Sequence, residues 1–360
     1  MRHDPVGGPG AHGVAYGQVL GLQQVVDAEG VARVEGRTFR GCGHGDCLRR
    51  LADVSKTSSA SYARRRDYGA GPGPVQTHRR ARPAGSPVRP SRPRSAWLRS
   101  ARRALNDAPG DAFGVGDPRG RVELRTALTE YLARARGVRT APQRIVVCAG
   151  FAHALRILGE VLEGTVAVES YGLAFHRSLL TGAGLRTVPL TVDADGARTS
   201  ELGAVGAGAV LLTPAHQFPT GGPLRPERRT AAVDWARATG AVVLEDDYDG
   251  EFRYDREPVG AVQGLDPDRV VYLGSTSKSL SPALRLGWLA LPEALVDDVL
   301  AVKGVREMWT GVGDQLTLAD FLACGAYDRH VRLMRRTYRR RRDRLVAVLA
   351  ERAPHIGVGG

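Results

Sequence analysis

Of the 51 basic side chains in this 360-residue chain, three are lysines, Lys56, Lys278 and Lys303, and the other 48 are arginines. A chain that writes nearly every cation as Arg and keeps a Lys just after a buried run can be using what Arg lacks. An amine loses its proton and forms a Schiff base, and a guanidinium does not. The stretch in question runs from Arg269 to Trp288. Val270-Val271-Tyr272-Leu273 reads as a strand buried on both faces, Gly274 ends it, and Ser275, Thr276, Ser277 and Lys278 follow. Ser275, Ser277 and Arg285 suit a phosphate ester beside that amine. An ordinary polar loop with an ordinary Lys is the other reading of the same residues.

The elements around this stretch decide between those readings. Short apolar runs at Ile145–Cys148, Val166–Val168, Val210–Leu212, Val242–Leu244 and Val270–Leu273 read as strands. Helical patterns fall among them. Ser95 to Leu105 reads as a short helix; Leu124, Ala127, Leu128, Tyr131, Leu132 and Ala135 repeat at helical spacing; Ala154, Leu155, Leu158, Val161 and Leu162 form one inward face; and a helix spans about Pro226 to Thr239. This alternation predicts an α/β fold with a mostly parallel sheet and helices on both faces. Ligands of such sheets bind beyond the carboxyl ends of the strands. Those ends carry Ala149-Gly150-Phe151, Glu169-Ser170-Tyr171, Thr213 to Gln217, Glu245 to Tyr248 and Ser275 to Lys278, which would converge on one edge.

An amine, a strand-end carboxylate, a phenol and an anion cup together suit pyridoxal 5′-phosphate. Its pyridine nitrogen needs a carboxylate partner, and its phosphate needs backbone N–H groups and cations. Asp246 would meet the first need. Gly150, Phe151 and Ala152, opening a helix, would meet the second together with Ser275, Ser277 and Arg285. Tyr248, two residues after Asp246, points the same way on an extended chain and could bond the ring hydroxyl. His216 and Gln217 complete the candidate cofactor-binding set, and Lys278, Asp246 and Tyr248 are the candidate catalytic residues. For the carboxylates alone, a solvated acidic loop is the alternative.

Four motifs then resemble a known family. They are Ser277-Lys278 with Arg285-Leu286-Gly287-Trp288, the run Glu245 to Tyr254, the run Thr213 to Gly221, and Gly116-Asp117-Pro118-Arg119-Gly120. In this order and spacing they resemble the aminotransferase-like domain of MocR-type regulators. These members of the GntR family of bacterial transcription factors join an N-terminal winged helix to a fold-type I, class I/II aminotransferase domain. The resemblance covers about Ser95 to the C-terminus. It implies Lys278 as the Schiff-base lysine, Asp246 at the pyridine nitrogen, Tyr248 at the ring hydroxyl, and a homodimer with the cofactor near the subunit interface. For function it implies a pyridoxal-phosphate-responsive transcriptional regulator with an amino acid or other small-molecule effector. A pyridoxal-phosphate-dependent aminotransferase, or an inactive fragment of either, is the alternative. Three departures stand out. Val115 replaces an aromatic that reaches the partner subunit's cofactor phosphate. Phe218 stands where ordinary aminotransferases have Asn, as is typical of the MocR branch. The chain ends at Gly360, before the small domain whose arginine clamps a substrate carboxylate.

The remaining sequence is read by composition. Residues 1–59 match a winged helix only over Leu20 to Phe39, as one helix and a two-strand wing, and are expected to be a remnant of such a domain. Residues 60–94 are an Arg/Pro/Gly-rich linker, and 95–360 form the aminotransferase-like domain, so the chain is expected to be truncated at both ends. The net charge is +13, and from Arg64 to Arg103 there are twelve arginines against one acid, Asp67. That segment suits either contact with DNA or a solvated linker. Nine arginines between Arg329 and Arg344 read as a solvated amphipathic helix with Leu333, Met334, Tyr338 and Leu345 near one face. Cys42, His44 and Cys47 do not complete a zinc set, and the four cysteines make no disulfide framework. No apolar run is long enough to span a membrane and no secretory signal opens the chain, so a cytoplasmic location is the default expectation.

Overall fold

The five apolar runs become strands because each is buried on both faces, as the inner strands of a parallel sheet must be. The computed structural model describes residues 25–26, 32–34, 37–39, 93–252, 260–306 and 310–354. A seven-stranded sheet is its centre. The predicted strands are β4 (Ile145–Cys148), β5 (Thr165–Glu169), β9 (Ala209–Leu212), β10 (Val242–Asp246) and β11 (Val270–Ser275). Two further strands complete the sheet, β6 (Arg186–Leu190) at one edge and β12 (Gly287–Ala290) inside it. The order is β4-β12-β11-β10-β9-β5-β6. All pairings are parallel except those of β12, which runs antiparallel to both β11 and β4.

Three short strands, β1 (Val25–Val26), β2 (Ala32–Val34) and β3 (Arg37–Phe39), pair antiparallel in that order near the N-terminus. The predicted two-strand wing corresponds to β2 and β3. The helix expected before it is corrected: Val25 and Val26 pair with Arg33 and Ala32 as a strand, in keeping with the β preference of consecutive β-branched residues. A third small pair, β7 (Val192–Asp193) with β8 (Gly196–Ala197), follows β6. The expected linker lies almost wholly outside the described residues, as does the Cys42–Cys47 cluster.

Helices cover both faces. The helices are α1 (Arg94–Asp107), α2 (Val122–Arg136), α3 (Phe151–Val161), α4 (Ala174–Gly182), α5 (Pro226–Thr239), α6 (Val296–Arg306), α7 (Val312–Ala323) and α8 (Ala326–Arg352). Alternate strand residues face opposite layers. Val146, Cys148, Val271 and Leu273 pack with α3, α4 and α6. Ile145, Val147 and Tyr272 pack with α2, α7 and α8, while Val210, Val243 and Val270 meet α5. The arginine-rich segment is helical as expected, and of its expected face Met334 is buried and Tyr338 packs against the core while Leu333 does not. Tyr327, His330, Val331 and Met334 turn inward, and Leu333 is 45% exposed.

Candidate functional site

The parallel strands all end on one edge, and the sequence-predicted residues stand there. Strand β11 ends at Ser275, which is buried; Ser277 is half-buried and Lys278 is exposed. The backbone N–H of Ser277 donates to Ser275 Oγ at 3.4 Å, which curls the loop back over the strand end. Strand β4 ends in a turn at Gly150, the residue that caps the start of α3 with φ 89°. Only Gly adopts that backbone readily. Phe151 and Ala152 are the first residues of α3, so their N–H groups belong to the turn that no helix satisfies internally.

Arg285 stands at the same turn. A Cβ placed on Gly150 would lie 3.9 Å from Arg285 Nη1, so the guanidinium stands at the α3 N-terminus, where helix dipole and charge act together. Arg285 is the one described non-Gly residue with positive φ, 51°. Such backbone strain persists where the surrounding structure holds it, commonly at ligand sites. Gly287 brings the two segments together, because a Cβ there would meet Gly150 Cα at 2.7 Å.

Asp246, the last residue of β10, is buried, and its Oδ1 has no hydrogen-bond partner. Burial raises its pKa well above the usual carboxylate range. Asp247, Asp249 and Glu169 add to the rise, and Lys278 opposes it. A buried carboxylate in this state is stabilised by a protonated nitrogen brought to it. Tyr248 follows, its phenol also raised by burial first and then by Asp249, Asp246 and Glu169. An amine, an orphaned carboxylate, a phenol and a helix N-terminus beside a guanidinium are the kinds of group that pyridoxal 5′-phosphate calls for.

Gln217 has a different position from the others. Its side-chain amide donates to Glu169 Oε2 at 3.1 Å and to Phe218 O at 2.6 Å and accepts from Thr220 N and Oγ1, so it is spent on holding its own loop. Glu169 in turn accepts from Thr213 N and Oγ1. His216 is more exposed and contacts Asp249.

Beneath the edge lies a polar layer that spacing alone did not reveal. Arg136, at the end of α2, donates to both Asp247 oxygens at 2.6 and 2.9 Å, and Tyr272 donates to Asp247 Oδ2 at 2.7 Å. Glu251 accepts from Tyr131 at 3.4 Å, and Tyr327 hydrogen-bonds both Glu251 Oε1 at 3.1 Å and Ser279 Oγ at 2.7 Å. His330 Nε2 bonds the Ser279 carbonyl at 2.7 Å, and Tyr338 donates to the Lys278 carbonyl at 3.4 Å. Helix α8 thereby fixes the carbonyls of Lys278 and Ser279. The i, i+3 spacing of Tyr327 and His330 among arginines was the available signal.

A parallel-stranded α/β sheet with this edge defines a fold-type I pyridoxal-phosphate protein, and comparison with known proteins agrees. The profile of the family "Aminotransferase class I and II" matches residues 91–359. The chain therefore belongs to the class I and II aminotransferase family, whose cofactor is pyridoxal 5′-phosphate. Among its curated relatives, the uncharacterized HTH-type transcriptional regulator YdeL of Bacillus subtilis is 34% identical over 74% of this chain and 59% of its own length. The probable rhizopine catabolism regulatory protein MocR of Rhizobium meliloti is 35% identical over 71% and 53%. The HTH-type pyridoxine biosynthesis transcriptional regulator PdxR of Corynebacterium glutamicum is 33% identical over 69% and 54%. This chain thus spans little more than half the length of these relatives. Among solved structures, LysN, an α-aminoadipate aminotransferase of Thermus thermophilus complexed with N-(5′-phosphopyridoxyl)-L-leucine, superposes with a TM-score of 0.65 at 25% identity, covering 73% of this chain and 69% of that one. An archaeal alanine:glyoxylate aminotransferase gives 0.66 at 24%, covering 73% and 68%. Among the described residues no helix is long and apolar enough to cross a membrane, and no cluster has the makings of a metal site.

Proposed function

We propose that this chain is the pyridoxal-phosphate-binding, aminotransferase-like part of a MocR-type transcriptional regulator. Residues 95–360 would form that domain, 60–94 a linker, and 1–59 the remnant of a winged helix through which DNA is contacted. The observation that carries the cofactor reading is Asp246: a buried carboxylate with an orphaned oxygen, under the charge of Lys278, at the edge where Arg285 meets the α3 N-terminus. Asp246 would hold the proton on the ring nitrogen, Lys278 would provide the amine, and Tyr248 would donate to the ring hydroxyl. Gly150, Phe151, Ala152, Ser275, Ser277 and Arg285 would hold the phosphate, while Gln217 positions the loop that carries His216. Bound there, the cofactor supplies an electrophilic carbon and an electron sink.

The regulator reading is supported by the HTH-type relatives, and a cytoplasmic location goes with it. A homodimer is supported by exposed Phe113, Val115 and Val122, which rim a cavity of about 690 Å³ beside the Gly114–Gly120 loop. The complete Lys278, Asp246 and Tyr248 set favours a second reading, transamination of an amino acid.

Adding pyridoxal phosphate to the protein should give a yellow species that borohydride fixes on Lys278, and Lys278→Ala should abolish both signals. A colourless protein with no labelled lysine refutes the proposal. Salt-sensitive retardation of the gene's own upstream DNA supports the regulator reading. Rapid conversion to the pyridoxamine form by an amino acid, without DNA binding, favours the enzyme.

A further inference from the structure

The Tyr248 phenol has two neighbours with acid–base chemistry of their own. His216 Nδ1 lies 2.7 Å from Asp249 Oδ2 and 3.4 Å from Tyr248 Oη, and the imidazole and phenol planes are 19° apart. The Asp249 carboxylate also acts on the phenol through its charge, holding the phenol's proton more firmly. A ring nitrogen this close to a carboxylate oxygen carries a proton, because otherwise two lone pairs would face each other. His216 therefore donates its Nδ1–H to Asp249. The phenol has a single proton, and the charge of Asp249 makes it a poorer donor of that proton to an acceptor that enters the site. His216 comes from the loop after β9 and Asp249 from the loop after β10, so only the fold joins them.

We propose that His216 and Asp249 are positioning residues that hold the Tyr248 phenol and set how strongly it donates to the cofactor's ring oxygen. This rests on the reading of Tyr248 given above. The N–H of His216, bonded to Asp249 and close to the phenol oxygen, offsets the carboxylate's charge there and leaves the phenol proton freer for the cofactor. Asp249, Asp246 and Glu169 act on Tyr248 through their charge, and Lys278 acts on Asp246. Burial and these carboxylates keep the phenol protonated, as a donor must be.

The two residues consequently act with opposite sign. A phenol donating to the ring oxygen stabilises negative charge there and lowers the pH midpoint of the visible band of the bound cofactor. His216→Phe leaves the charge of Asp249 uncompensated beside the phenol and should raise that midpoint by about one pH unit; Asp249→Asn removes that charge and should lower it by about one unit. His216→Gln keeps an N–H donor and should titrate close to the unmodified chain. In the cofactor-free protein, imidazole nitrogen shifts should report the Nδ1-protonated tautomer. Shifts of the same sign in both variants, no shift in either, or an Nε2–H tautomer overturns this inference alone. An unmodified protein with no visible band overturns the proposed function, and this inference with it.

Discussion

Asp246 and Asp247 stand side by side at the end of β10, both buried, in opposite surroundings. Asp247 points into the layer under the sheet edge, where Arg136 meets both of its oxygens and Tyr272 bonds one of them. Asp246 points to the site and leaves Oδ1 without a partner. A fold that gives one carboxylate a guanidinium and a phenol, and the next a vacant hydrogen-bonding direction, separates holding the protein together from holding a ligand. Alternation along the extended chain makes this separation possible, since neighbours there face opposite sides.

The largest effect should come from the satisfied member. Asp247→Ala strands the Arg136 charge in the interior and should cost about 3–5 kcal/mol, read from urea unfolding. A loss under about 1 kcal/mol would mean that the pair is not a structural lock. Glu251 sharpens the contrast by titration. Burial, and then Asp247, push its pKa up from 4.5 to about 7. Between those pH values the unfolded chain releases its proton first, so this group's contribution to stability is lost as pH rises through the window. Glu245, likewise raised to about 7, has the same sign, so the measurement is the difference between the parent and Glu251→Gln. The parent should lose on the order of 2 kcal/mol relative to the variant from pH 4.5 to 7, and parallel curves would refute the assignment. Smallest of all should be Asp246→Ala in the cofactor-free protein at about pH 4, where forcing a proton onto this raised carboxyl costs the fold little: within about 1 kcal/mol of the parent, because the oxygen it removes has no partner to lose. The same variant should bind pyridoxal phosphate far more weakly, as measured by equilibrium dialysis. Tight binding would detach Asp246 from the site.

Much of the edge was legible because parallel strands are continuous apolar runs and their carboxyl ends are the next residues along. Gly150, Asp246, Ser275 and Lys278 could each be placed at a strand end for that reason. Strand β6 was not legible. It lies at the sheet edge, and its exposed Arg186 and Pro189 break the apolar run. Strand β12 has an apolar run but no mark of direction, and its antiparallel course follows from its place between β4 and β11. The contacts of Tyr327 and His330 with Ser279 were beyond reach because they join residues 48 and 51 positions apart.

The sequence by itself determined the alternation of strand and helix, the chemistry available at the strand ends, and the lysine singled out among arginines. Residue type and period suffice for these, since they express burial and reactivity locally. Only the tertiary structure decided which carboxylate is paired and which is left open. It also decided that Gly287 packs against Gly150 beside Arg285, and that His216 and Asp249 meet at Tyr248. Those outcomes depend on strand order and on the face to which each side chain turns, and neither is a property of any one segment.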